Sequence, residues 1–376
     1  MGRNSDGIEA APFLPSPLSG AISDAPRPPL RRALLCTLGP SSLTEPVISG
    51  LAEAGATGFR LNMSHTDIET LESTIEFVQG CTPVPISIDT EGAQIRTGVM
   101  SAGVALVPGS EVRLVAEAIP GDAGTIPLTP SFAVGQLRPG ARVSIDFDAA
   151  LLRVDRVGGD EAVATVLSGG EVGSRKAVTA LPSPTLPALS EKDLQAIRIA
   201  RALGIREYAL SFCEDAEAVQ RLRALAGDPT CVMAKIESRR GTVQLEEIAQ
   251  SADRLLIDRG DLSREVRLEA IPLLQKAIIR KANALRVPVY VATNLLESMV
   301  GRRVPTRAEV NDVINTLLDG ADGLVLAAET AIGKYPVEAA QMIAALMREY
   351  TGSIDDYHVG ELLGRHPLEA ATPPHF

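Results

Sequence analysis

The stretch from Glu207 to Asp261 reads EYALSFCEDAEAVQRLRALAGDPTCVMAKIESRRGTVQLEEIAQSADRLLIDRGD. It contains three short apolar runs, which are Glu207–Phe212, Cys231–Ile236 and Arg254–Asp258. The segments between them, such as Ala216–Ala226, carry apolar residues at helical spacing. Short β-rich runs that alternate with helical segments are typical of parallel strands joined by crossover helices. This stretch therefore predicts repeated β-α units.

The same alternation extends over most of the chain. Five further apolar runs lie at Ala33–Leu38, Gly58–Asn62, Val84–Asp89, Val287–Thr293 and Gly323–Ala328. Other segments with helical spacing are Glu191–Leu203, Leu268–Leu285 and Ala308–Leu318. Eight β-α units predict an α/β fold of the closed (β/α)8 TIM-barrel type, and an open doubly wound sheet is the alternative.

One region interrupts the alternation after the third predicted strand. It is rich in Val and punctuated by Gly and Pro, with strand-like runs such as Val112–Ala116 and Ala162–Leu167. We expect a small inserted all-β domain here. The predicted units are a disordered Pro-rich tail (1–30), the barrel (31–97 and 185–350), the inserted β lid domain (98–184) and a loose C-terminal tail (351–376).

Composition excludes several classes of protein. The 376 residues include 47 acidic and 36 basic side chains, a net charge of −11, which argues against nucleic-acid binding. Cys36, Cys81, Cys213 and Cys231 form no CxxC pair, so we expect reduced core thiols and neither disulfides nor zinc. No apolar run approaches the roughly 18 residues of a membrane span, and the N-terminus does not resemble a signal peptide. We therefore expect a cytoplasmic protein that does not bind a membrane.

Polar side chains follow most of the predicted strands. They lie in Arg60–His65, Asp89–Gly92, Lys235–Glu237, Arg259–Asp261, Thr293–Asn294 and Glu329–Thr330, with Arg96 shortly after the third strand. The carboxyl ends of barrel strands meet at one rim, where active sites of this fold lie. Glu237 and Asp261 suit a hard divalent cation, whereas Lys235, Arg60 and Arg96 suit phosphate oxygens. One such group alone could form a structural ion pair, but six strand ends with polar groups favour a phosphoryl-transfer site.

These motifs, in this order, resemble those of the pyruvate kinase family. The similar segments are Cys36–Pro40, Arg60–His65, Asp89–Gly98, Leu186–Asp193, Lys235–Glu237, Arg259–Leu262, Ala292–Met299, Pro305–Glu309 and Leu318–Pro336. The resemblance extends from about Arg31 to Arg348. It implies a TIM barrel that binds phosphoenolpyruvate or a 2-oxo acid, a nucleotide, and Mg2+ or Mn2+.

The resemblance also implies roles for single residues. Glu237 and Asp261 match the divalent-metal ligands, Lys235 matches the lysine that stabilises the enolate and the transferring phosphoryl group, and Arg60 matches a phosphate-binding arginine. The positions that match the enolpyruvate carboxylate site are Arg259, Gly260, Asp261 and Thr293, of which Thr293 completes the catalytic set. The positions that match K+ ligands are Asn62, Ser64, Asp89 and Thr90. The positions on the nucleotide side are Pro40, His65, Arg96 and Lys176.

The chain departs from the family pattern close to these positions. Glu91 stands where the family usually has Lys and Gln94 where it has Glu, so dependence on K+ stays open. Asp258 replaces a small residue before Arg259. Ala327 replaces a serine near the route by which enolpyruvate is protonated, which removes a hydroxyl group from a water relay.

Three functions are compatible with this pattern. The first is a pyruvate kinase-like phosphotransferase acting on phosphoenolpyruvate and ADP, or on pyruvate and ATP, with a divalent metal. The second uses the same metal and 2-oxo-acid site for lyase, transferase or decarboxylation chemistry in a specialised biosynthetic pathway. The third is a non-catalytic relative. Retention of Arg60, Lys235, Glu237, Asp261 and Thr293 favours the first.

The end of the sequence bears on regulation and assembly. Members of the family normally continue with a C-terminal domain that holds effector sites and part of a tetramer contact. The sequence stops soon after the last predicted barrel helix. We therefore expect no effector control of the usual kind, and we expect that any homodimer forms through the barrel.

Overall fold

The computed structural model describes residues 32–146 and 149–350. The predicted tails, 1–30 and 351–376, lie outside the described residues. The strands are β1 Ala33–Leu38, β2 Gly58–Asn62, β3 Ile86–Asp89, β4 Ile95–Thr97, β5 Glu111–Val115, β6 Thr125–Thr129, β7 Arg142–Ile145, β8 Ala150–Gly158, β9 Glu161–Ser168, β10 Ala177–Leu181, β11 Glu207–Leu210, β12 Cys231–Ile236, β13 Arg254–Asp258, β14 Val289–Ala292 and β15 Gly323–Leu326.

Helices follow most strands of the main sheet, and their apolar faces pack against it. They are α1 Glu45–Ala54, α2 Ile68–Cys81, α3 Glu191–Ala202, α4 Ala216–Ala226, α5 Arg239–Val243, α6 Leu245–Ser251, α7 Arg259–Leu262, α8 Ile271–Ala284, α9 Arg307–Leu318, α10 Ala328–Ala331 and α11 Pro336–Glu349. Short 3-10 turns lie at Ser131–Gln136, Leu268–Ala270 and Glu297–Val300. Among the described helices, none combines the length and apolar character needed to cross a membrane.

The main sheet is a closed barrel of eight parallel strands. Its order is β1, β2, β3, β11, β12, β13, β14 and β15, and β15 pairs again with β1. The predicted (β/α)8 barrel is therefore confirmed, and the open doubly wound sheet is wrong. Apolar side chains fill the interior, and they are Leu35, Ala209, Met233, Leu256, Tyr290, Ala292 and Val325. All four cysteines are free thiols, and Cys36 and Cys213 are buried.

The inserted region forms a second closed barrel. Its seven strands are ordered β10, β4, β6, β5, β9, β8 and β7, and only the β5–β6 pair among them is parallel. It has its own apolar core, which includes Val112, Leu114, Ile126 and Leu152. The all-β character of the insertion follows the prediction. Its first strand, β4, lies just before the predicted domain start at residue 98.

A buried aspartate connects the start of helix α3 to the loop that follows β3. Asp193 forms a capping box with Ser190 at the start of α3. Its carboxylate also accepts hydrogen bonds from the backbone N–H groups of Glu91 (2.7 Å) and Gly92 (3.0 Å). Because Asp193 is fully buried, water cannot replace its carboxylate as the acceptor for these N–H groups. This contact fixes the path of the chain where it leaves the main barrel for the insertion.

We predict that Asp193→Ala lowers the free energy of unfolding by about 3 kcal/mol, because it leaves several buried donors unpaired. Asp215→Ala is the matched control, since Asp215 caps α4 through one hydrogen bond to Ala218 N–H. That control is expected to lose about 1 kcal/mol. Urea unfolding of both variants measures the difference. Equal losses would show that the contact with the β3 loop contributes nothing.

Candidate active site

Charged side chains from strands β2, β3 and β12 meet at the carboxyl-terminal rim of the main barrel. Asp89 at the end of β3 accepts from Arg60 on β2 (Nη1–Oδ2, 3.1 Å) and from Lys235 on β12 (Nζ–Oδ1, 3.1 Å). Lys235 Nζ also donates to Ser211 Oγ at 2.9 Å, and Arg60 Nε donates to Thr37 Oγ1 at 2.8 Å. Arg60, Asp89 and Lys235 are all buried. Their positions are therefore determined by the barrel strands.

Glu237 extends this array. Residues i and i+2 of a strand project to the same side, so Glu237 lies beside Lys235, with Oε1 2.9 Å from Nζ. The backbone N–H of Phe212 donates to Glu237 Oε2 at 2.7 Å. The other oxygen, Oε1, is buried and contacts the Lys235 ammonium group. A buried carboxylate at the rim of the barrel is suited to bind a divalent metal ion.

Glu237 is one of three carboxylates that face one another. Oxygen atoms of Glu237, Asp258 and Asp261 all lie within 4.8 Å of one another. The structure thus brings together the two predicted divalent-metal ligands, Glu237 and Asp261. Sequence reasoning noted Asp258 only as a departure from the family and missed its membership of this cluster. Its place as the last residue of β13, at the rim, was the signal available in the sequence.

Mutual repulsion and burial shape the proton affinities of the cluster. Burial raises the pKa of Glu237 to about 8; Lys235 opposes this rise, and the charges of Asp261 and Asp258 add to it. Burial likewise raises the pKa of Asp261, with Asp258 adding to the effect. The pKa of Asp258 is lowered although burial opposes this, because Lys235, the Thr293 hydroxyl and Arg60 favour its charged form. A divalent cation with oxygen ligands fits this set and would relieve the repulsion.

Lys235 keeps its positive charge in this environment. Burial by itself lowers the pKa of the ammonium group, but the carboxylates of Asp89 and Glu237 outweigh that effect and leave the pKa raised. The ammonium group is therefore a fixed positive charge beside the carboxylate cluster. Such a charge can stabilise phosphoryl or enolate oxygens without changing its protonation state.

The four residues predicted to bind the substrate carboxylate lie on one side of the carboxylate cluster, but their polar groups point in different directions. The Arg259 guanidinium group donates to the Thr293 carbonyl (Nε 3.0 Å, Nη2 2.6 Å) and pairs with Asp312 on α9 (Nη1–Oδ2, 2.7 Å). Arg259 therefore joins the ends of β13 and β14 to α9. The backbone N–H of Gly260 and the hydroxyl of Thr293 face the cluster instead, where both donate to Asp258.

The predicted K+ ligands lie at the ends of β2 and β3. Asn62 is opposite Asp89 in the strand register, and Asn62 Oδ1 accepts from the Ser64 N–H at 2.9 Å. Thr90 Oγ1 accepts from the Ser211 N–H at 3.0 Å. The carboxylate of Asp89 is shared with the ion pairs of Arg60 and Lys235. Asn62 and Ser64 therefore lie at the end of β2, beside Asp89 and Thr90 at the end of the paired strand β3.

The predicted nucleotide-side residues divide between the two barrels. Pro40 and His65 follow β1 and β2 of the main barrel. Arg96 is on β4 of the insertion and donates to Gln94 Oε1 at 3.2 Å. Lys176 is also in the insertion, where its Nζ lies 2.7 Å from Asp146 Oδ2.

A cleft lies between the rim and the insertion. Glu237 and Asp261 line its barrel side, and Gln94 lies at the base of the insertion. Arg264 bridges the two sides, with Nη2 2.8 Å from Asp261 Oδ1 and Nη1 3.4 Å from Gln94 Oε1. The cleft therefore gives a ligand access to the carboxylate cluster beneath the insertion.

The end of β15 contributes structure more than chemistry. Glu329 is buried, and its carboxylate accepts the backbone N–H groups of Leu296 (3.0 Å) and Ala327 (2.9 Å). Thr330 Oγ1 donates to the carbonyl of Thr37 at 2.8 Å. Glu329 and Thr330, which the sequence places among the polar strand ends, thus hold β15 against its neighbours. Ala327 offers no hydroxyl group at this place.

We predict that Mn2+ binds the carboxylate cluster more tightly as the pH rises from 6.5 to 8.5. Below its pKa of about 8, Glu237 is protonated, and a metal ion must displace that proton. Affinity is expected to fall about tenfold per pH unit below the pKa. Calorimetric titration in buffers of different ionisation enthalpy measures both the affinity and the released proton. Affinity that is independent of pH, with no proton release, would contradict this prediction.

Comparison with known proteins identifies the family to which the sequence belongs. Residues 30–340 match the family model described as pyruvate kinase, barrel domain. A pyruvate kinase of Mycobacterium tuberculosis is 36% identical over 328 residues, which cover 84% of this chain and 69% of that protein. A pyruvate kinase of Methylorubrum extorquens is 38% identical over 317 residues, covering 82% of this chain and 66% of that protein. Pyruvate kinase PKLR of Homo sapiens is 35% identical over 349 residues, covering 87% and 60%. The resemblance seen in the motifs is confirmed, and the chain belongs to the pyruvate kinase family, which is a family of phosphotransferase enzymes.

Proposed function

We propose that the chain transfers a phosphoryl group between phosphoenolpyruvate and ADP, with Mg2+ or Mn2+ as the divalent cation. The observation that carries this proposal is the position of the Lys235 ammonium group. It is buried between Asp89 and Glu237, at the edge of the three-carboxylate cluster. Fixed positive charge next to a divalent-cation site is what phosphoryl transfer needs, because its catalysis depends on positioning and charge stabilisation.

Each proposed catalytic group has a separate task. A cation held by Glu237 and Asp261 would neutralise phosphoryl oxygens and polarise the enol oxygen. Lys235 stabilises the negative charge of the transferring phosphoryl group and of the enolate that remains. Arg60 binds phosphate oxygens, and its guanidinium group is oriented by Thr37 and Asp89.

The remaining subsites follow from position. We assign the substrate carboxylate to the backbone N–H groups of Gly260 and Asp261 and to the Thr293 hydroxyl, next to Arg259. The phosphates of the nucleotide are assigned to Pro40, His65, Arg96 and Lys176, of which the first two follow β1 and β2 and the last two lie in the insertion. K+ is proposed as a second cation at Asn62, Ser64, Asp89 and Thr90. A cytoplasmic homodimer formed through the barrel remains a prediction.

One observation favours a second function at the same site. The Ala327 N–H is committed to Glu329, and its side chain offers no hydroxyl group for a proton relay. An enolate that is protonated slowly can react with another electrophile. Transferase, lyase or decarboxylation chemistry on a 2-oxo acid, with the same metal ligands and the same lysine, is the corresponding alternative.

We predict that Lys235→Met lowers ADP-dependent formation of pyruvate from phosphoenolpyruvate by at least about 1000-fold, because it removes the fixed charge at the transferring group. The affinity for Mn2+ is expected to be retained, since the cluster carboxylates stay in place. Lys276→Met is the matched control, because Lys276 forms an exposed ion pair with Asp319 outside the site. A coupled pyruvate assay with Mg2+ or Mn2+, with and without K+, measures the rates.

Two results would contradict the proposal. Unchanged turnover in Lys235→Met would show that the chemistry lies elsewhere. A wild-type protein that forms no pyruvate, yet binds a 2-oxo acid tightly in the presence of metal, would favour the second function.

A further inference from the structure

Asp258 receives three hydrogen bonds at a single carboxylate oxygen. Its Oδ1 accepts from the Gly260 N–H (3.2 Å), from the Asp261 N–H (3.4 Å) and from Thr293 Oγ1 (2.6 Å). These are the donors assigned above to the carboxylate of the substrate. We infer that Asp258 is an internal competitor for that carboxylate and that it weakens the binding of carboxylate-bearing substrates.

The donors around Asp258 lie close together beside the carboxylate cluster, at a position that we call the recess. Gly260 has no side chain there, and a Cβ atom would lie 2.9 Å from Thr293 Cγ2 and 3.4 Å from Asp258 Oδ1. A ligand carboxylate that also binds a cation at Glu237 and Asp261 has the backbone N–H groups of Gly260 and Asp261 and the hydroxyl of Thr293 as neighbouring donors. In the structure, the side chain of Asp258 accepts hydrogen bonds from all three donors.

Charge strengthens the competition. The Asp258 side chain is buried, and Lys235 and Arg60 favour its ionised form. A substrate carboxylate entering the same recess meets this charge. Two carboxylates cannot share one set of donors, and they repel each other strongly at short range when water is excluded. Entry of a substrate therefore requires the Asp258 side chain to give up its hydrogen bonds.

A capping role alone does not account for these contacts. Asp258 precedes the short helix α7 and accepts two of its N–H groups, which Ser or Asn could do without a charge. Capping does not explain why the Thr293 hydroxyl, from the end of another strand, donates to the same oxygen. It also does not explain a third carboxylate at a site where two already repel each other.

This inference rests on the proposed function, because it takes the substrate to be an acid bound beside the cation. Oxalate is a suitable probe, since its two carboxylates can bind one metal ion and present an oxygen to the recess without any phosphoryl transfer. The dissociation constant of oxalate is measured by calorimetry at saturating Mn2+ for the wild type, Asp258→Ala and Asp258→Asn. The Mn2+ dissociation constant and the melting temperature of each protein are measured separately.

We expect Asp258→Ala to bind oxalate at least about tenfold more tightly than the wild type, because it frees the donors and removes the charge. Asp258→Asn is expected to tighten binding by a smaller factor, since its amide oxygen still accepts the hydrogen bonds but carries no charge. If Asp258→Ala does not fold, the Asn variant decides the question. Where turnover occurs, the KM for phosphoenolpyruvate is expected to fall in the same order.

Oxalate affinity that stays equal or becomes weaker in the variants at saturating Mn2+ would overturn the inference and leave Asp258 as a helix cap or a metal ligand. The outcome is separable from the proposed function. Tighter oxalate binding without any pyruvate formation, in the wild type or the variants, would support the competitor and contradict the kinase. Pyruvate formation by the wild type, together with oxalate binding that is unchanged in the variants, would support the kinase and contradict the competitor.

Discussion

The ion pairs between Lys235 and the carboxylates of Asp89 and Glu237 are the contacts on which the site depends. Burying these charges is unfavourable unless each has its partner in place, and the barrel supplies the partners from different strands. Arg60 completes the arrangement on the other side of Asp89. Lys235, Asp89 and Arg60 therefore form a preset arrangement of charge before any ligand binds, which is the preorganisation that phosphoryl transfer requires.

The two barrels contribute differently to that pattern. The main barrel holds the charged array and the carboxylate cluster on short strand ends, whereas the insertion closes a cleft above them. Arg264, between Asp261 and Gln94, joins the cluster to the base of the insertion. Movement of the insertion would thus alter the surroundings of a proposed metal ligand. The fold in this way connects the position of the insertion to the charge balance of the site.

Periodicity in the sequence was sufficient for the architecture but not for side-chain direction. Alternating apolar runs predicted all eight barrel strands and the all-β insertion, because strand and helix spacing are local properties. They could not show that the Arg259 guanidinium group turns away toward Asp312, or that Glu329 is used to hold backbone N–H groups. Nor could they show that Asp258 accepts the hydrogen bond of the Thr293 hydroxyl. Those features depend on contacts across strands, which residue spacing does not encode.

We propose that Glu237 is a ligand in a divalent-cation site and not only a partner of Lys235. The most direct measurement is the Mn2+ dissociation constant of Glu237→Gln, determined by electron paramagnetic resonance. Glu265→Gln is the control, because Glu265 lines the same cleft and accepts the Arg239 N–H. We predict that Glu237→Gln weakens Mn2+ binding by about 100-fold or more, while the control binds as the wild type does. Equal Mn2+ affinity in the wild type and Glu237→Gln would contradict it.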